Sequence, residues 1–112
     1  MIPVRLNRCL VLETPQKAPD GMGGNTITWR PLGRIWAEVL PGSGKEIGGE
    51  EALLSYIPYR VTVRGAPVGS DARPVPGQRF REDTRFFEIL AVTERDVEAR
   101  YLRCFVREER QK

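Results

Sequence analysis

Apolar residues in this chain recur at every second position, and no long stretch carries them at the three-to-four-residue spacing of an amphipathic helix. Period two is the pattern of a strand with one face turned to a core. Residues 56–64 show it most clearly, with Ile57, Tyr59, Val61 and Val63 on one side and Tyr56, Arg60, Thr62 and Arg64 on the other. The same alternation predicts strands over 4–13, where Val4, Leu6, Leu10 and Leu12 share a parity interrupted by Arg8, and over 99–107, where Leu102, Cys104 and Val106 share one. Residues 25–30 and 34–40 read as two more strands separated by Pro31, and 78–81 as a short one. Trp36 is expected to anchor the core, because large aromatics bury much area and favour strands. Residues 85–93 are apolar on both parities, Phe87, Ile89 and Ala91 opposing Phe86, Leu90 and Val92. That predicts a strand buried on both sides, inside a barrel or beneath another subunit.

Between these segments lie turn-forming residues. Pro15, Pro19 and the run Asp20 to Gly24 predict a protruding flexible loop, and residues 65–77 hold three prolines and three glycines. Glu82, Asp83 and Thr84 make a turn, and residues 94–98 the turn of a hairpin. Residues 41–55 break the strand pattern with four glycines and predict a long loop with at most a short helical turn. The fold class is therefore all-β: a small antiparallel barrel or sandwich of about six strands with long loops. A chain of 112 residues makes one domain, with a charged tail from Glu108 to Lys112 expected to fray.

Histidine is absent, which removes the commonest general base, the commonest metal ligand and every histidine-containing triad. Cys9 and Cys104 are too few for a disulfide framework or a zinc site and read as reduced, partly buried thiols. Around Gly42, Ser43, Gly44, Lys45 and Glu46 the chain superficially resembles a phosphate-binding loop, but that motif needs glycine where Val39 stands and Ser or Thr where Glu46 stands. The pairs Glu50–Glu51 and Glu82–Asp83 lack calcium-loop spacing. No catalytic residue, metal or cofactor is expected, and the chain is not read as an enzyme. The 18 basic residues are interleaved with 15 acidic ones, so the net charge of +3 marks no single nucleic-acid-binding stripe. The longest apolar stretches fall far short of the roughly 18 residues that cross a bilayer. The residue-based signal for binding is Tyr56, Tyr59, Arg60 and Arg64, types suited both to a protein interface and to single-stranded nucleic acid.

Several segments in order carry a likeness to one family. They are a first strand ending near Pro15, the run Asp20-Gly21-Met22-Gly23-Gly24, Thr28-Trp29, and Ile35-Trp36-Ala37-Glu38-Val39 followed by Pro41-Gly42-Ser43-Gly44-Lys45-Glu46. Tyr59-Arg60-Val61-Thr62-Val63-Arg64, Pro76-Gly77-Gln78-Arg79 and Arg85-Phe86-Phe87-Glu88-Ile89 continue it. Across about residues 5–109 the chain resembles the phage head-to-tail joining proteins, also called head-closure or stopper proteins, with relatives in phage-like gene transfer agents. The stretch around Gly48, Gly49, Glu50 and Glu51 and the turn at Glu82 to Arg85 follow no pattern of that family.

The resemblance implies a β-barrel made in the bacterial cytoplasm and assembled as a ring of six or twelve subunits at the neck of a tailed particle. A portal-adaptor protein would lie above it, a tail terminator or tail tube below it, and packaged double-stranded DNA would pass through the channel; no membrane is involved. In that setting Gly42, Ser43, Gly44, Lys45, Glu46, Gly48, Gly49, Glu50 and Glu51 are expected to form a channel or subunit-contact loop. Tyr56, Arg60 and Arg64 are expected at an interface or facing DNA. The alternative is a stand-alone oligonucleotide-binding barrel reading single strands with Tyr56, Tyr59 and Arg60.

Overall fold

The computed structural model describes residues 3–42 and 56–109. They form six antiparallel strands: β1 (Arg8–Pro19), β2 (Asn25–Pro41), β3 (Tyr56–Arg64), β4 (Arg79–Glu82), β5 (Arg85–Glu94) and β6 (Tyr101–Glu109). The sheet closes on itself in the order β1-β2-β3-β6-β5-β4, so the expected barrel is the one found. Closure depends on three residue pairs between β1 and β4: Val11 with Arg81, Leu12 with Phe80, and Glu13 with Arg79.

Inside, Leu10, Leu12, Ala37, Val61, Val63, Phe80, Phe87, Ile89, Leu102, Cys104 and Val106 make one core. These are the alternating positions of each strand, since successive side chains leave opposite faces of the sheet. Burial pushes the Cys104 thiol up to about 12, so it stays protonated and behaves as a small apolar side chain.

Inward-facing positions at one end of the barrel change from apolar to charged. Arg8 interrupts the apolar parity of β1 because it faces inward there, bonded to Glu82 of β4. Arg85 lies over the rings of Tyr59 and Phe87 and binds Glu108 at 2.7 and 3.0 Å. These four side chains, one from each of four strands, cap the core without leaving a buried charge unpaired.

Three expectations need correction. Trp36 is 56% exposed and no core anchor: Ile35, Ala37 and Val39 hold the inward parity of β2, which turns Trp36 outward. Within the single chain the strand over 85–93 is fully buried on one side only, with Phe86 and Leu90 half-buried on the other. A bulge between Ile89 and Ala91 shifts the parity, so Phe87, Ile89 and then Val92 face the core while Ala91 is exposed. Finally, Pro15 and Pro31 do not interrupt strands, and Pro19 is the last residue of β1 rather than part of a loop. β1 and β2 continue past the barrel as a two-stranded arm pairing Thr14 with Arg30 through Pro19 with Asn25.

The prolines are tolerated because of which way each residue points. Asp20 N–H donates to the Gly24 carbonyl at 3.1 Å, and the Ala18 and Gln16 carbonyls accept from the Thr26 and Thr28 hydroxyls. Even-numbered residues of β1 therefore address β2, and positions 15 and 19 address the other edge, where a missing N–H breaks no bond of the arm. At the tip, the Asp20 carboxylate accepts from the Met22 and Gly24 amides at 2.7 and 3.0 Å, and Gly21 and Gly23 supply the positive φ angles of 81° and 86°.

Phe80→Ala should destabilise the barrel by about 3–5 kcal/mol, as for other fully buried large aromatics. Trp36→Ala should leave the melting temperature within about 4 °C of wild type, the range of surface substitutions in a domain of this size. Thermal denaturation followed by circular dichroism checks both. The Glu82 carboxyl is held below its usual range by the hydrogen bonds from Arg8. Its contribution is thus present above the unfolded carboxyl value and lost as pH falls through the folded one. Glu82→Gln should be less stable than wild type at pH 7, and the gap should close as pH falls through the lowered folded value of the carboxyl.

Candidate interaction surface

The expected binding residues are spread over the structure. Of the loop residues only Gly42 lies among the described ones, its N–H donating to the Pro58 carbonyl at 3.1 Å; Ser43, Gly44, Lys45, Glu46, Gly48, Gly49, Glu50 and Glu51 fall outside them. The backbone of Tyr56 pairs with Glu109. Arg60 and Arg64 both leave the outer face of β3 but open onto different clefts. Tyr59 points inward, its ring edge-on to Phe87 at 5.6 Å, so it offers no stacking platform for a base.

Arg60 lines a groove of about 390 Å³ with Glu38, Leu40, Thr62, Arg95 and Arg103. Glu38 is also the acceptor for the Arg5 amide at 3.0 Å, which fastens the N-terminal segment beside this groove. Arg64 lines a second cleft of about 230 Å³ with Arg34, Ile35, Trp36, Gly65, Ala66 and Ala72. Gly65 is required here, because a Cβ would meet the Ala99 carbonyl oxygen at 2.2 Å. Its N–H donates to the Arg100 carbonyl at 2.8 Å, and the pairing of β2 with β3 stops at Ala37 and Val63, so Trp36 has no β3 residue paired beside it.

A third feature fixes the arm. The Arg79 guanidinium lies 4.1 Å from the Trp29 ring centroid and 4.2 Å from that of Phe86, stacked against both. It also donates to Glu13 at 2.7 Å, while Arg81 donates to the other carboxylate oxygen at 3.0 Å. Glu13 is 6% exposed, and the two arginines supply the hydrogen bonds that water no longer can. This cluster joins the base of the arm (Trp29) to the closing seam (Glu13, Arg79, Arg81) and to β5 (Phe86).

Sequence reasoning missed the arm, the clamp and the exposure of Trp36. A signal for the first was present: Pro15 and Pro19 are an even number of residues apart, as edge prolines on one strand must be. Nothing in the sequence pairs Arg79 with Glu13 across the intervening strands. Arg79→Ala should destabilise the domain by about 2–3 kcal/mol, since it removes one of two partners of a buried carboxylate. It should also speed amide exchange at the arm base more than at β3 or β6, measured by hydrogen exchange.

Comparison with known proteins agrees with this architecture. A family model described as phage head completion protein matches residues 1–109. A chain in the structure of the virion of a native gene transfer agent particle is 50% identical, with a TM-score of 0.78 over 96% of this chain and 98% of that one. A protein of Shigella flexneri 2a solved in solution shares the fold at 22% identity, with a TM-score of 0.69 and full coverage of both chains. No curated protein sequence matches. The match of one family model to nearly the whole of this six-stranded barrel means that the chain belongs to the phage head completion protein family.

Proposed function

We propose that this protein is a non-catalytic neck component of a tailed phage or phage-like particle, forming a ring that joins the DNA-filled head to the tail. The observation that carries the reading is the 50% identity, over nearly the full length, to a chain of a gene transfer agent virion. The shape of the barrel supports it. In the antiparallel order, Arg8, Pro41, Tyr56, Glu82, Arg85 and Glu109 lie at one end, while the arm leaves β1 and β2 at the other. The arm and the segment joining Gly42 to Tyr56 thus start from opposite ends, which suits a subunit set between two different neighbours along one axis.

A ring coaxial with a tail needs heterologous contacts that close, each subunit offering one side to the next. Outward apolar residues are available on the barrel (Trp36, Leu40) and at the arm (Met22, Ile27), 44% to 90% exposed. Arg60, Arg95 and Arg103 give the larger groove positive charge for a neighbouring carboxylate. In this reading the loop carrying Lys45, Glu46, Glu50 and Glu51 contacts a neighbour or the channel. Lys45 meets phosphate, and the glutamates keep affinity for sliding DNA low.

A particle map should show this chain in six or twelve copies around the tail axis; a single copy, or an off-axis position, refutes the ring. Deleting residues 43–50 should leave the barrel folded, by circular dichroism, but yield particles that leak DNA or fail to join tails. Normal DNA retention and normal tails after that deletion would eliminate a channel role for the loop.

A further inference from the structure

The outer edge of β2 has no strand beside it from Asn25 to Trp36 among the described residues, because β3 pairs only from Ala37 to Pro41. In the arm the odd-numbered residues of β1 and their partners on β2 point away from each other, so Asn25, Ile27 and Trp29 direct their N–H and C=O groups to this open edge. The two edges of the arm are not alike. Pro15 and Pro19 deprive the β1 edge of donors at two of its three outward positions, whereas no proline blocks the β2 edge between Asn25 and Trp29.

The line of this edge runs on past Pro31, which offers no N–H there, to the cleft that holds Trp36. Arg34 and Arg64 line the same cleft as the indole, and neither makes an ion pair among the described residues, while most other outward arginines of the barrel are paired or stacked. An exposed tryptophan sharing a cleft with two unmatched arginines is the residue composition of an energetic anchor in protein interfaces.

We propose that the open edge of β2 is a strand-addition site for an extended, acidic segment of about ten residues from a different protein of the particle. Its backbone would pair with Asn25, Ile27 and Trp29, its carboxylates would meet Arg34 and Arg64, and an apolar side chain would cover Trp36. The inference rests on the neck reading. A second copy does not fit the edge. The β1 edge of a neighbouring arm is blocked by Pro15 and Pro19, and pairing two β2 edges requires a two-fold axis, which a ring coaxial with a tail lacks.

The test compares amide hydrogen exchange over residues 24–31 in the free chain and in purified particles. The outward amides should exchange rapidly in the free chain and at least about 100-fold more slowly in particles, as for strand amides that gain a partner. Ile27→Pro removes an outward donor without touching the ladder of the arm, so it should melt like wild type when free, yet be depleted from particles. Arg34→Glu with Arg64→Glu should be depleted as well. Chain absent from wild-type particles fails the neck reading itself. Chain present with residues 24–31 unprotected, or normal incorporation of a folded Ile27→Pro, overturns the strand-addition site alone. A dimer in sedimentation that Ile27→Pro abolishes also overturns it, by naming a second copy as the occupant. If Ile27→Pro does not fold, the wild-type exchange comparison decides.

Discussion

Closing a six-stranded sheet requires that its first strand find its fourth, and here the seam is only three residue pairs long. Backbone bonding over so short a stretch would be weak alone. Two side-chain arrangements reinforce it from opposite faces. Phe80 and Leu12 pair across the seam toward the interior and are fully buried, and Glu13 is held outside by Arg79 and Arg81. Without closure β1 and β4 would each present an unpaired edge to solvent, and the core positions of both would be open to water.

The same seam positions the protruding parts. Glu13 is the last residue of β1 that pairs with β4, and beyond it Pro15 removes the donor that a longer β4 would need. The arm therefore begins where closure stops. Arg79 passes rigidity from one to the other, being part of the seam through Glu13 and part of the arm base through Trp29. A two-stranded ribbon is marginal in water by itself, and this clamp gives the ribbon a fixed root. At the far end of the barrel the charged layer of Arg8, Glu82, Arg85 and Glu108 ends the core with paired charges.

Much of the strand content was legible because period two is a local property. Val61 and Val63, Leu102, Cys104 and Val106, and Leu10 and Leu12 fell on the parities that face the core. Errors arose where parity changes within a strand. The bulge between Leu12 and Glu13, matched by the extra Leu32 on β2, and the bulge between Ile89 and Ala91 each shift the register by one residue. A one-residue shift moves every later side chain to the other face. The run Phe86 to Val92 thus read as apolar on both sides when it is a one-sided strand with a step in it. On the candidate surface, Arg64 faces outward as the parity of β3 indicates, but its neighbour Trp36 was assigned to the core because size alone favours burial of an indole.

By itself the sequence determined the all-β class, the family likeness and the lack of histidine chemistry, since each follows from residue type and local spacing. Only the tertiary structure decided which face of β2 is inside, that Pro15 and Pro31 lie within continuous strands, and that Arg79 bridges seam and arm. Those facts depend on which backbone groups meet across strands far apart in sequence, as Glu13 meets Arg79 and Arg8 meets Glu82. Alternation says that a strand has two faces; closure of the barrel says which one is dry.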